Sequence, residues 1–408
     1  MRRVVVTGIA GISPLGDSWA EVEARLRSRR NAVVTMEDWQ QYDGLDTTLA
    51  VPVQNFKVPE HFTRKQMRSM GRVSLLAVTA TERALAQAGL MGEDILTSGV
   101  AGVAFGSSTG STDAITEFVE MKISKTTDSL NATSYVRMMS HTAAVNIGVF
   151  FGLTGRVIPT SSACTAGSQG IGYAYEAIRA GHQDIMIAGG AEELCPTEAA
   201  VFDTLYATST MNDRPELTPR PFDRDRDGLV VGEGAGVFVL EEMEHAEARG
   251  ANIICELVGF GTNSDGCHVT RPNRVTMARC MEIALRDAQL DPSQIGYVNA
   301  HATATDLGDI AETRATSNIF GPGMPLSSLK SYMGHTLGAC GALEAWMTIE
   351  MMHSDWYAPT INLDNIDPEC GDLDYITGDG LEASNEYVMS NNFAFGGINT
   401  SLIFQRLG

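Results

Sequence analysis

The stretch that decides the fold is PTSSACTAGSQGIGYAYEAIRAGHQDIMIAGGAEE, residues 159–193. Small residues surround a single cysteine, Cys164, and continue into a helical segment that could end near Gly181. The apolar run DIMIAGG follows at once and predicts a buried strand. A helix with small residues on every face has to be tightly packed, so this stretch predicts a buried helix beside a buried strand.

Cys164 lies where the local pattern changes from strand to helix. At the first turn of a helix, free backbone N–H groups and the positive end of the macrodipole favour a thiolate. We therefore expect a lowered pKa and a catalytic nucleophile whose own N–H could help to bind an oxyanion. The alternative is that the small residues serve only close packing and that Cys164 is an inert buried thiol.

Strand-like and helical segments alternate along the whole chain. Strand-like apolar runs are RRVVVTGIA, GVAFGSS, DIMIAGG, GVFVLEE, IICELVGFG and IGYVNAH. Helical periodicity predicts helices over 74–90 and 277–289, and the charged stretch 213–228 predicts a surface loop. A new series begins near residues 250–257, so we predict an α/β protein with two halves, residues 1–250 and 251–408.

Composition excludes several classes of protein. With 29 basic and 50 acidic residues, the net charge is −21 and the surface as a whole repels nucleic acid. The chain has seven cysteines, at positions 164, 195, 255, 267, 280, 340 and 370. None forms a CxxC pair, which argues against a disulfide framework and a metal site and fits a reducing cytoplasm. No apolar run reaches the roughly 18 residues of a membrane span.

Two histidines lie in junctions similar to that of Cys164. His301 follows an apolar run directly, and His335 lies in a glycine-interrupted turn five residues after Lys330. Glu344 lies on the helix that this turn enters. A single histidine is more often a structural residue, but three such junctions together favour a catalytic cluster.

A turn with adjacent glycines lies near the C-terminus, in SNNFAFGGINTSLIFQR (390–406). Gly396 and Gly397 are flanked by Phe393 and Phe395 and lead into a final strand. Backbone N–H groups in such a turn can bind an oxyanion. The alternative is an ordinary hairpin turn with core aromatic residues.

Taken together, these segments resemble the elongating β-ketoacyl-acyl-carrier-protein synthases of the thiolase-like superfamily. The motifs that carry the resemblance are VVVTGIAGISPLG, SSACTAGSQGIG, RPFDRDRDGLVVGEGAGVFVLEE, NAHATATDLGD, LKSYMGHTLGACGALE and NNFAFGGINTSLIF. They cover nearly the whole chain in the family's order. The resemblance implies a five-layered α/β/α/β/α fold from two pseudo-equivalent halves, usually in a homodimer.

The resemblance also implies a role for each site residue. Cys164 would take an acyl chain from the phosphopantetheine arm of an acyl carrier protein, and no other cofactor or metal is implied. His301 and His335 would stabilise the enolate that malonyl carrier protein forms when it loses CO2. The N–H groups of Cys164 and Phe395 would bind the acyl-transfer oxyanion, and Phe202 and Phe395 resemble gating aromatics.

Further family residues support this cluster and bind the substrates. Lys330 would tune the electrostatics of the site, and Glu344 would fix its neighbours. Residues matching the pantetheine contacts are Thr303, Thr305, Thr270 and Arg271. The run RKQMRSMGR matches the region that docks carrier protein through Arg64, Lys65, Arg68 and Arg72, which recur at helical spacing; the alternative is a solvated helix face.

Departures from the family pattern leave the pathway open. Ala302 and Ala394 each replace a glycine of the family motifs, and Arg271 replaces a small hydroxyl residue. Fatty acid elongation is one reading, and a specialised type II polyene or polyketide pathway, with a chain-length-factor partner, is another. A non-catalytic chain-length factor would typically lack Cys164. A thiolase would have a second catalytic cysteine in NNFAFGGIN, and an initiating synthase would replace one histidine by asparagine.

Overall fold

The computed structural model describes residues 1–407 as an α/β protein. Its strands are β1 (Val4–Ile12), β2 (Val34–Thr35), β3 (Leu49–Val51), β4 (Ala101–Gly106), β5 (Val157–Pro159), β6 (Ile185–Glu192), β7 (Val231–Gly232), β8 (Gly234–Glu242), β9 (Cys255–Ser264), β10 (Ile295–Asn299), β11 (Pro325–Ser327), β12 (Trp356–Tyr357), β13 (Asp374–Tyr375), β14 (Leu381–Glu382), β15 (Tyr387–Ala394) and β16 (Ile398–Arg406). Its helices are α1 (Trp19–Arg27), α2 (Arg64–Met67), α3 (Arg72–Gln87), α4 (Thr112–Ser124), α5 (Ser134–Met138), α6 (Thr142–Phe151), α7 (Ala166–Arg179), α8 (Pro196–Asp203), α9 (Met243–Ala248), α10 (Arg274–Ala288), α11 (Asp306–Phe320), α12 (Lys330–Met333) and α13 (Cys340–His353).

The main sheet repeats one strand order in two consecutive stretches of the chain. It has 11 strands in the order β13-β11-β10-β15-β16-β9-β1-β8-β6-β4-β5. From the junction of β1 and β9, one arm runs β1-β8-β6-β4-β5 and the other runs β9-β16-β15-β10-β11. In both arms the first strand in sequence is followed by the fifth, fourth, second and third. The two halves are therefore pseudo-equivalent, and β13 adds an edge strand to the second.

Helices divide the molecule into five layers. α7 and α13 pack against each other and against strands of both arms, so they form the central layer. α3 and α6 cover the outer face of the first arm, and α10, with α11 beside it, covers that of the second. This layering matches the predicted thiolase-like fold, and it brings both buried central helices to the middle of the molecule with their N-termini near each other.

The small residues of α7 allow the helix to touch a strand backbone. A Cβ atom added at Gly170 would lie 2.7 Å from the carbonyl oxygen of Gly189 in β6. Any larger side chain would push the helix away from the sheet. The buried helix and strand predicted from residues 159–193 are confirmed, and the helix begins two residues after Cys164.

The charged stretch 213–228 differs from the predicted surface loop. Asp223 and Arg226 are buried. Two backbone N–H groups, of Asp364 and Asn365, each donate to the Asp223 carboxylate at 2.8 Å. Arg226 pairs with Asp367 at 2.7 Å, and this internal pairing explains why charge alone misplaced the segment.

Candidate active site

Cys164 lies at the floor of a cavity of about 370 Å³. A 3-10 turn, Ala163–Thr165, leads into α7 and holds the cysteine at the head of that central helix. Ala163 adopts a left-handed conformation with φ of 51°, which turns the chain sharply before the nucleophile. Only 4% of Cys164 is exposed, so the thiol is reached through the cavity.

The prediction of a lowered pKa for Cys164 is wrong. Burial raises the pKa of the thiol to about 11, although Lys330 and the backbone N–H groups of Phe395 and Cys164 act in the opposite direction. Desolvation of the anion thus outweighs the charge of Lys330 and the two backbone hydrogen bonds. The sulfur is a thiol at neutral pH and has to lose its proton during the reaction. The two N–H groups nevertheless lie close to the sulfur, as the predicted oxyanion site requires.

His335 is placed to take that proton. Its Nε2 lies 2.9 Å from Sγ of Cys164. Its backbone N–H donates to the carbonyl oxygen of Val230 at 2.7 Å, which fixes the segment after α12. Burial, followed by the charge of Lys330, lowers the pKa of His335 well below its usual range, so the ring is neutral. Its Nδ1 is buried without a hydrogen-bond partner, so no neighbour fixes the tautomer.

His301 is held in one tautomer. It follows β10, and its backbone N–H donates to the Glu312 carboxylate at 2.8 Å. Its Nδ1 faces two donors, Nζ of Lys330 at 3.3 Å and Nδ2 of Asn392 at 3.4 Å. Nδ1 therefore accepts, and the proton resides on Nε2. Burial, followed by Lys330 and His335, lowers the pKa of this imidazole well below its usual range.

A buried ion pair supports both rings. Lys330 and Glu344 contact each other through Nζ and Oε1, and both are fully buried. Burial acts to lower the pKa of Lys330, but the Glu344 carboxylate beside it, together with Cys340 and Glu312, outweighs this, and the net shift is upward. The lysine is therefore charged. Asn392 donates to the second oxygen of Glu344 at 2.8 Å, which completes the support.

The three reactive groups converge from different parts of the chain. One ligand atom from each of Cys164, His301 and His335 lies within 4.8 Å of the other two. The two imidazole rings are perpendicular, at 87°, with centroids 5.2 Å apart. All five predicted catalytic residues therefore meet at one point, at the heads of the central helices.

The predicted gate and pantetheine residues also line this cavity. Phe202 and Phe395 pack with ring centroids 5.3 Å apart, and the Phe202 ring centroid is 6.5 Å from that of His335. The hydroxyls of Thr303 and Thr305 lie 3.1 Å apart. The predicted contacts that line the cavity are Thr303, Thr305, Thr270 and Arg271.

The predicted docking run is not one helix. Arg64 and Lys65 open the short α2, Arg68 caps it, and Arg72 begins α3 after a break. The guanidinium of Arg72 pairs with the buried carboxylate of Glu233 at 2.7 Å. Arg72 therefore has a structural partner, and the exposed basic group comprises Arg64, Lys65 and Arg68.

Sequence reasoning missed several residues of the site. Asn392 contacts both His301 and Glu344, Glu312 orients the backbone of His301, and the Cys340 thiol donates to the carbonyl oxygen of Cys164 at 3.2 Å. Asn392 precedes the double-glycine turn, and Glu312 ends the HATATDLGDIAE segment. Asn392 lies inside a motif that carries the family resemblance and Glu312 just after another, and this was the signal that could have found them. The partners of Asn392, however, lie far from it in sequence.

Comparison with known proteins assigns the family. Residues 1–246 match the family model "Beta-ketoacyl synthase, N-terminal domain", and residues 254–364 match "Beta-ketoacyl synthase, C-terminal domain". The chain is 39% identical to 3-oxoacyl-[acyl-carrier-protein] synthase 2 of Vibrio harveyi, over 100% of this chain and 99% of the relative.

Solved structures give the same assignment. A β-ketoacyl synthase from Burkholderia phymatum STM815 superposes with a TM-score of 0.99 at 60% identity, covering 100% of both chains. The ishigamide ketosynthase/chain length factor superposes with a TM-score of 0.91 at 31% identity, again over 100% of both chains. No helix within residues 1–407 combines the length and apolar character needed to cross a bilayer. The chain belongs to the β-ketoacyl synthase family and is one of its condensing acyltransferases.

Proposed function

We propose that this chain elongates an acyl chain, held on Cys164, by two carbons from malonyl carrier protein, as in type II fatty acid synthesis. The observation that carries the proposal is the approach of Cys164 to two neutral imidazoles, one of which lies 2.9 Å from the sulfur. A nucleophile, a base and a fixed hydrogen-bond donor are the groups that acyl transfer and decarboxylation require.

Acylation uses His335 as the base. Sγ of Cys164 attacks the thioester carbonyl while its proton passes to Nε2 of His335. The N–H groups of Cys164 and Phe395 stabilise the oxyanion, the bond to the pantetheine sulfur breaks, and the leaving thiolate takes the proton from His335. A base at 2.9 Å compensates for the raised pKa of the thiol, because a free thiolate is never required.

Condensation uses His301 as the fixed donor. When the malonyl thioester loses CO2, the electron pair of the broken C–C bond forms the C=C bond of the enolate, and the carbonyl π pair moves to the thioester oxygen, which accepts the Nε2–H of His301. His335 can donate to the same oxygen after exchanging tautomers, because nothing binds its Nδ1. The enolate carbon then attacks the acyl-cysteine carbonyl, and as the C–S bond breaks the sulfur of Cys164 takes a proton that solvent supplies.

The substrates arrive on an acyl carrier protein. Such proteins are acidic, and the net charge of −21 repels them at long range, so a local basic surface is needed. The exposed group of Arg64, Lys65 and Arg68 supplies that surface. The pantetheine arm enters past Thr270 and Arg271, and Thr303 and Thr305 bind its amides.

Intact-protein mass spectrometry tests both parts of this function. Acyl carrier proteins bearing saturated or polyenoyl chains should load Cys164, and malonyl carrier protein should then discharge it. Replacing Arg64, Lys65 and Arg68 together by alanine should slow loading from carrier protein about tenfold, but not from acyl-pantetheine. Loading that is restricted to polyenoyl chains would instead favour a specialised pathway, to which the likeness to the ishigamide ketosynthase points.

A dimer completes the enzyme in this proposal. The edge strand β5 exposes Val157, and α4 exposes Ile115, Val119 and Ile123 at helical spacing. An unpaired strand edge and an exposed apolar helix stripe are each suited to contact with a second subunit. We expect a homodimer in sedimentation velocity at micromolar concentration. A monomer that dimerises only with a chain-length factor would support the polyketide alternative.

A further inference from the structure

A buried pair of carboxyl groups lies behind the gate residue Phe202. Glu198 and Phe202 share the buried face of α8, four residues apart, and Phe202 lines the catalytic cavity. Oε1 of Glu198 lies 3.4 Å from the hydroxyl of Thr109, and Oε2 has no partner, although only 6% of the residue is exposed. A buried oxygen without a partner is costly unless something binds it.

Glu192 supplies the second unpartnered oxygen. One of its oxygens accepts the N–H groups of Ser108 at 2.7 Å and Gly338 at 3.0 Å, and the other has no partner. Gly338 follows His335 by three residues, so this carboxylate lies just behind the catalytic segment. Burial raises the pKa of Glu192 to about 7, and its negative charge acts to raise the pKa values of both Cys164 and Glu198.

An acyl chain attached to Cys164 needs space inside the protein, away from the mouth of the cavity. The mouth of the cavity is occupied by pantetheine in the proposed reaction, so a chain attached to Sγ has to leave in another direction. Phe202 lines the cavity and shares the buried face of α8 with Glu198, so a chain that displaces the Phe202 ring would approach Glu198. An ordinary hydrocarbon chain would then contact two carboxyl groups and a hydroxyl, and it could form hydrogen bonds with none of them.

We propose that Glu198, with Thr109 and Glu192, selects acyl chains that carry a hydroxyl group on the part of the chain that passes Phe202. A hydroxyl accepts one hydrogen bond and donates another, so it can bridge a protonated carboxyl and a carboxylate. Burial, followed by the charge of Glu192, raises the pKa of Glu198 well above its usual range, which keeps Glu198 a donor. This inference rests on the proposed acyl loading of Cys164.

A competition assay tests the selection. Hydroxylated and unsubstituted acyl-pantetheines of equal length, over a series of lengths, compete for loading of Cys164. The wild-type enzyme should favour the hydroxylated chain at one or more lengths, and Glu198→Leu should shift the ratio about tenfold or more toward the unsubstituted chain. Glu198→Gln keeps a donor and should shift it less. Val201→Ala, on the exposed face of α8, should leave it unchanged.

Equal loading of both chains at every length, or a ratio that Glu198→Leu does not move, would overturn the inference. A binding measurement separates this failure from failure of the proposed reaction. In Cys164→Ala, free hydroxylated acids should raise the melting temperature more than plain acids, and Glu198→Leu should remove the difference. This readout needs no acyl transfer, and no difference between the acids would count against the inference.

Discussion

Replacing Cys164 by alanine should abolish the acyl-enzyme and lower condensation by at least about 1000-fold. The sulfur forms the covalent bond, and no other thiol can replace it. Cys340 is the near neighbour, but its thiol donates to the carbonyl oxygen of Cys164 and is fully buried. Intact-protein mass spectrometry after incubation with acyl carrier protein measures the adduct directly.

The fold should survive this substitution, because removing one sulfur at the edge of a cavity deletes little packing. Cys267→Ala is the matched control, since that thiol is free and exposed. It should leave both the adduct and the turnover unchanged. Full condensing activity in the Cys164 variant would refute the proposed mechanism. An adduct that disappears only in Cys267→Ala would mean that Cys267, and not Cys164, carries the chain.

Replacing Lys330 by methionine should damage both stability and catalysis. The Glu344 carboxylate would remain buried without its partner, which typically costs about 3–5 kcal/mol in the free energy of unfolding. His301 would lose one of its two donors to Nδ1, so its Nε2–H tautomer would be favoured less strongly, by Asn392 alone. We expect condensation to fall at least about 100-fold. Chemical denaturation and a decarboxylation assay measure the two effects.

The pH profile separates catalysis from stability in this variant. The charge of Lys330 helps to lower the pKa values of His301 and His335, so the wild-type rings stay neutral as the pH falls toward 6. Without the lysine these pKa values rise, and protonation of His335 at lower pH should remove the base that takes the proton of Cys164. The variant should therefore show a loss of acyl loading on acidification that the wild-type enzyme lacks.

The double variant Lys330→Met with Glu344→Gln supplies the control. Both charges are gone, so most of the lost stability should return, because no unpaired buried charge remains. Activity should not return, since Nδ1 of His301 still lacks the ammonium. Recovery of activity together with stability would show that the ion pair acts only as a structural support.

Local sequence predicted two of the long outer helices. The helix predicted over 74–90 is α3, Arg72–Gln87, and that over 277–289 is α10, Arg274–Ala288. Both have clear apolar periodicity and defined ends, which depend on neighbouring residues alone. The helical spacing of the basic run at 64–72 did not predict one helix, because α2 ends at Met67 and Arg72, at the start of α3, pairs with Glu233.

The sequence, through its resemblance to the β-ketoacyl synthases, predicted the family, the two-half α/β plan and the candidate residues Cys164, His301, His335, Lys330 and Glu344, because the motifs that carry the resemblance are contiguous stretches of the chain. Only the tertiary structure decided the electrostatics. The pKa of Cys164 rises because burial outweighs the charge of Lys330 and the nearby backbone N–H groups, and the tautomer of His301 is fixed by Lys330 and Asn392. Desolvation and hydrogen bonding depend on which distant segments pack together, and a linear pattern does not contain that information.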